Sequence, residues 1–108
     1  MKQEKIYFLT EGTHIKIGYT TQPITSRIKQ LNTGSVQEIY LLGWMWGTKE
    51  LEKQLHQRFA NSRVRFNGEW FDPTEELIAF INENNQKPNT TVEIVDNNVM
   101  SLFSLKKI

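Results

Sequence analysis

The sequence predicts a compact α/β domain: a three-stranded antiparallel sheet with helices packed on it, followed by a C-terminal β-hairpin extension. Three observations carry this reading. Two short apolar runs near the N-terminus are joined at a Glu-Gly turn, "IYFLTEGTHIKIGY". Three helical patterns each open on a cap residue or a Pro. A run apolar on both faces, "EIYLLGWMW", lies between the first two of them. At 108 residues, 38% hydrophobic and 23% charged, the chain has room for one modest core.

Taken in order, the first two strands meet at "TEGT", where Gly12 can supply positive φ. Read as a two-residue loop, Glu11-Gly12 sets Tyr7 opposite Lys16 and Phe8 opposite Ile15. Alternation then gathers Ile6, Phe8, Ile15 and Ile17 on a core face. The other face holds Tyr7, Leu9, His14, Lys16 and the bare backbone of Gly18, and reads as polar, cationic and open at its end. "TTQPITSRIKQLNTG" is a helix with Pro23 in its first turn and Gly34 beyond its end. Ile24, Ile28 and Leu31 form its buried stripe, and Arg27 emerges beside that stripe at the helix–sheet edge. The third strand is apolar on both sides, which predicts cover on both, and Gly43 marks a bulge or a close approach.

Thr48 caps the next helix, "TKELEKQLHQRF", whose inward face is Leu51, Leu55 and Phe59. Glu52 and His56 are four apart on its flank. "ANSRVRFNGEWF" reads as a loop with two arginines, ending in Trp70 and Phe71 as core anchors. Asp72-Pro73-Thr74-Glu75 opens a further helix, with Asp72 as its cap, Pro73 at its first position and Glu75 three residues on, that runs through Ile81. "TTVEIVDNNVMSLFSLKKI" is a hairpin around Asn97-Asn98. The chain thus divides into a domain of residues 1–85 and an extension of residues 86–108, packed on the domain or at a dimer interface.

Composition narrows the chemistry. No cysteine means no disulfide, no thiolate zinc site and no cysteine nucleophile. Two histidines are too few for a His-rich metal centre. A net charge of +1 gives no long-range basic field, so nucleic-acid binding would need a local patch. Lys29, Arg58, Arg63 and Arg65 could form one, or could be ordinary solvated charges. No apolar stretch approaches a membrane span and the N-terminus lacks a signal peptide's apolar region, so the expected address is the cytoplasm.

The order and spacing of several of these residues resemble the GIY-YIG nuclease superfamily. Lys5-Ile6-Tyr7 falls on its first name motif and Lys16-Ile17-Gly18 on its second, with Thr20 following and Arg27 on the next helix. "LEKQLHQRF" is similar to the segment carrying the family's metal-binding Glu, here Glu52. "NGEWF" after a Glu-x-x-x-His helix is similar to a short branch found in phages and bacteria. The likeness spans roughly residues 5 to 83. Lys5 stands where the family has glycine, Lys16 where it has tyrosine, and Leu31 where many members have histidine.

The resemblance implies a metal-dependent DNA endonuclease or nickase, phage or mobile-element associated, leaving 5′-phosphate and 3′-hydroxyl ends. Tyr7 would orient or deprotonate the attacking water, helped by Lys16. Arg27 would grip the scissile phosphate, and Glu52 would hold a single Mg²⁺ or Mn²⁺ at the leaving oxygen. Further nucleic-acid contacts would come from Gly18, Lys29, His56, Arg58, Arg63 and Arg65, with DNA the expected partner and RNA left open. No DNA-binding appendage is recognisable, so specificity would be weak or supplied by a protein partner; a homodimer through the tail is the other expected assembly. Each residue also has a plain reading. Tyr7 and Lys16 can be a cross-strand pair, Arg27 a snorkelling side chain, Glu52 and His56 a helical pair, and Glu69 a cap or an ion-pair partner. The rival function is a non-catalytic module of the same fold that binds nucleic acid or a host protein.

Overall fold

The computed structural model describes residues 3–33, 38–64 and 69–103. Four strands, β1 (Lys5–Thr10), β2 (Ile15–Thr20), β3 (Tyr40–Trp46) and β4 (Trp70–Phe71), form one antiparallel sheet in the order β3-β1-β2-β4. Helices α1 (Ile24–Asn32), α2 (Lys49–Arg58) and α3 (Glu75–Asn84) accompany it, and β5 (Thr90–Val95) with β6 (Asn98–Phe103) makes a separate hairpin. The class is α+β, with one more strand in the sheet than the sequence predicts. The extra strand is the "WF" of the supposed loop. Two residues carry no periodic signal; β4 is set instead by flanking backbone bonds, Val64 N–H to Trp70 C=O at 2.8 Å and Asp72 N–H to Ser62 C=O at 2.7 Å.

The β1–β2 register differs from the two-residue reading. Tyr7 pairs with Gly18, Phe8 with Ile17 and Leu9 with Lys16, so the loop is four residues long, Glu11 to His14. Side chains close it. The Glu11 carboxylate accepts N–H bonds from Thr13, at 2.8 Å, and from His14, while Thr10 Oγ1 accepts from Gly12 N–H at 2.9 Å and donates to His14 C=O at 2.7 Å. Gly12 takes a φ of 125° within it. Hydrogen-bonding side chains thus do what a tight primed turn would otherwise do. Because the slip is two residues, every side chain keeps its face.

Ile6, Phe8, Ile15 and Ile17 are all 0% exposed and join Leu42, Leu55, Phe59, Phe71, Leu77 and Ile81 in one core. Phe80 meets Phe8 and Phe59 edge-on, which seats α3 beside the end of α2. The opposite face is not open as expected: Tyr7 is 2% and Leu9 0% exposed. α1 lies on that side, since Arg27 reaches the Tyr7 hydroxyl. Its Ile24, Ile28 and Leu31 are only half-buried, and Pro23 sits at the N-cap rather than inside the first turn.

β3 is an edge strand, covered on both sides only at Leu42 and Gly43; Tyr40 and Trp46 are about half exposed. The register breaks between Phe8 and Leu9, giving the bulge that Gly43 announces. A Cβ at Gly43 would collide with the Asn85 side chain. Asn85 plugs the bulge, its Oδ1 accepting from Trp44 N–H at 3.1 Å and its Nδ2 donating to Leu42 C=O at 3.3 Å. Gln86 N–H continues to Trp44 C=O at 2.7 Å. The edge is therefore sealed by a loop rather than by another strand.

The C-terminal hairpin turns at Asp96-Asn97, one residue earlier than expected, with φ of 50° and 66° at the two positions. Val92 and Val99 enter the core cluster, and Asn82 holds β5 by bonds to both Val92 N–H and C=O. Among the described residues no helix is long and apolar enough to cross a membrane. Asn85→Ala should leave the bulge's N–H and C=O without their partners and cost about 1–3 kcal/mol. Urea unfolding would register this as a lower midpoint at unchanged slope.

Candidate active site

The site is built around Gly18. A Cβ at that position would overlap the Tyr7 ring, so the absence of a side chain is what lets the ring lie across β2. The ring is buried, and its hydroxyl accepts a hydrogen bond from Arg27 Nε at 3.4 Å. Arg27 Nη1 bonds Gln30 Oε1 at 3.3 Å, and the remaining guanidinium donors have no partner among the described residues. Pro23 starts α1 just past the end of β2, so the helix returns over the sheet and delivers Arg27 one turn in.

Lys16 lies two residues from Gly18 on the same face, opposite Leu9 on one side and Trp70 on the other. It is diagonal to Tyr7 rather than across from it. Its ammonium pairs with Glu69 Oε2 at 3.2 Å and sits 5.8 Å from the Trp70 ring centroid. The cation beside the Tyr7 hydroxyl is Arg27, not Lys16. This follows directly from the four-residue loop.

At Ile17 the outer edge of β2 passes from β4 to α2. Ile17 N–H bonds Glu69 C=O at 3.0 Å, and Ile17 C=O receives His56 Nε2 at 2.9 Å. A carbonyl only accepts, so Nε2 carries the proton there. The His56 ring also packs on Phe71 at 5.2 Å. Glu52, one turn before His56, is half-buried with no hydrogen-bond or ion-pair partner among the described residues. Burial pushes its carboxyl above the ordinary range and the Glu69 charge adds to this; His56, Lys49 and Lys16 pull the other way. The same charge reaches Tyr19, whose phenol is held above its usual value chiefly by its bond to Glu4, with burial and the Glu4 and Glu52 charges adding. Glu52 therefore stands within electrostatic reach of Lys16 and of the Gly18 end of β2.

The remaining candidates fall elsewhere. Gly18 is buried beneath Tyr7 and offers no open backbone. Arg58 stacks over Phe59 and Phe80 and faces Glu76 at 3.6 Å, which makes it a cover for the core. Arg63 donates to His56 C=O at 3.4 Å and lies over Phe71. Lys29 is exposed on α1. Arg65 lies outside the described residues. Sequence reasoning left Glu69 undecided. Its position only becomes legible once β4 is known to pair with β2, because that pairing sets it against Lys16.

Among the described residues no three His, Asp or Glu side chains gather as a ready-made metal site. Glu52 is a single hard oxygen donor, made costly as a lone anion by burial and by Glu69. That suits Mg²⁺ or Mn²⁺ held jointly by one carboxylate, waters and a substrate phosphate, and does not suit an all-protein cage. Among known families, the model of the T5orf172 domain matches residues 4–85, most of the chain. Comparison with curated proteins and with solved structures gives no match.

A carboxyl raised in the folded state contributes stability below the ordinary carboxylate value and loses it as pH rises through the raised one. Glu52→Gln should therefore unfold at a higher temperature than the parent at pH 7, with the advantage shrinking toward pH 3–4 (about the free carboxyl range). A difference independent of pH in thermal melts would contradict this account of Glu52.

Proposed function

The chain belongs to the T5orf172 domain family, a phage-derived and GIY-YIG-related family, and on that premise we propose that it is a metal-dependent DNA endonuclease or nickase. The observation that carries the reading is the Arg27–Tyr7 contact over Gly18, with the Glu52 carboxylate left without an ion-pair partner nearby. No ion pair joins Glu52 to Arg27 among the described residues, so neither charge is spent on the other.

In this reading Arg27 takes the scissile phosphate. Its bond to Tyr7 is long at 3.4 Å, and a phosphate offers shorter, charge-assisted bonds to the same planar fork. As Arg27 turns to the phosphate, the Tyr7 hydroxyl is freed to orient the attacking water. Lys16 exchanges Glu69 for a phosphate oxygen, its ammonium remaining beside the Trp70 ring. Glu52 would hold Mg²⁺ or Mn²⁺, which when bound offsets charge on the leaving 3′ oxygen. His56, anchored through Nε2, keeps α2 and hence Glu52 at the edge of β2.

A binding module is the second reading, favoured by one observation: the Lys16 ammonium is already occupied by Glu69. Incubation with single-stranded and duplex DNA in Mg²⁺, Mn²⁺ or EDTA separates the two. The nuclease predicts metal-dependent cutting that falls about a hundredfold or more in both Arg27→Ala and Glu52→Gln (the scale of losing one transition-state contact). Folded protein that binds DNA and cuts none, in either metal, would establish the module instead.

A further inference from the structure

The sheet face that carries Tyr7 extends past it toward the open ends of β1 and β3. Tyr7 pairs with Trp44, and Lys5 pairs with Trp46, so the four side chains occupy two successive rows of one face. The rows are two residues apart, about 7 Å along the strand. Trp46 is 50% exposed, and Trp44 meets it at right angles with centroids 4.9 Å apart, which fixes the orientation of its indole. Lys5 is the second observation. It is 6% exposed, its ammonium lies 5.9 Å from the Trp46 ring centroid, and it donates to Gln3 C=O at 3.3 Å. No carboxylate pairs with it among the described residues, although a buried ammonium ordinarily has one.

A half-exposed indole held rigid beside an ammonium that lacks a counter-anion matches one ligand class, a nucleotide of a single strand. The base has a π-face for Trp46 and the phosphate has the charge for Lys5. Resting on the reading that the chain acts on DNA, we infer that Lys5 and Trp46 form a subsite for the unpaired nucleotide next to the one held at Tyr7 and Arg27. The substrate is then a strand that is single, frayed or distorted at that step, since a base within an intact duplex has no free face to stack.

Fluorescence titration in EDTA, where nothing is cut, tests it with a short single-stranded oligonucleotide and the same sequence as a duplex. Single-strand binding should quench tryptophan emission. Trp46→Ala should weaken single-strand affinity about tenfold (the size of one base–aromatic stack), while Trp46→Phe stays within about threefold and duplex affinity is unchanged. Lys5→Met should reduce the slope of log K against log salt by about 0.7 (one phosphate contact on a single strand). Parental single-strand affinity in Trp46→Ala would overturn the inference, as would equal losses on both substrates or a parent that binds no single strand. A dimer in sedimentation that Trp46→Ala dissolves would assign the surface to a second copy and also overturn it. Metal-dependent cutting in Trp46→Ala separates the two readings: the nuclease can stand when the subsite falls.

Discussion

Everything at the candidate site depends on a side chain that is absent. Gly18 leaves a space on β2 that the Tyr7 ring fills from β1, and any Cβ there would displace the ring. The ring in turn sets where α1 can lie, because the Tyr7 hydroxyl is what Arg27 reaches. One pairing, Tyr7 with Gly18, therefore fixes a phenol, a guanidinium and the helix that carries it. It also determines what the face lacks: Lys16 falls one row away and finds Glu69.

The fold class was largely legible because it rests on long, strongly periodic segments. Ile6, Phe8, Ile15 and Ile17 alternate cleanly, and Thr48 caps α2 through its hydroxyl as expected, whereas α3 starts two residues later than expected, capped by Thr74 and not by Asp72. What escaped was short or depended on side-chain bonds. The β1–β2 loop looked like a Glu-Gly turn because Gly12 accepts positive φ; here the Glu11 carboxylate instead collects the N–H groups of Thr13 and His14, two and three residues on. The two-residue β4 has no pattern to read, and the cover of β3 comes from Asn85, remote in sequence. Family likeness supplied the candidate residues of the site. Their pairings were not legible, since a slip of two residues preserves faces while changing every partner.

Glu52 sits where its charge costs the fold something. The carboxylate is half-buried, with Glu69 nearby and no ion pair of its own among the described residues, so its charged form is disfavoured in the folded chain. Glu69 meets Lys16 instead. The cation thus meets the more exposed of the two acids and leaves the half-buried one unpaired. That it is left unmet is the pattern expected where a ligand supplies the missing charge.

The loop that sets the register has one more partner, and it comes from the far end of the chain. Val99 N–H bonds Gly12 C=O at 2.7 Å, so β6 closes the ring of contacts around the first hairpin. A change at Val99 would therefore be felt in the loop on which the Tyr7–Gly18 pairing rests. The two partners are remote in sequence and side by side in the fold.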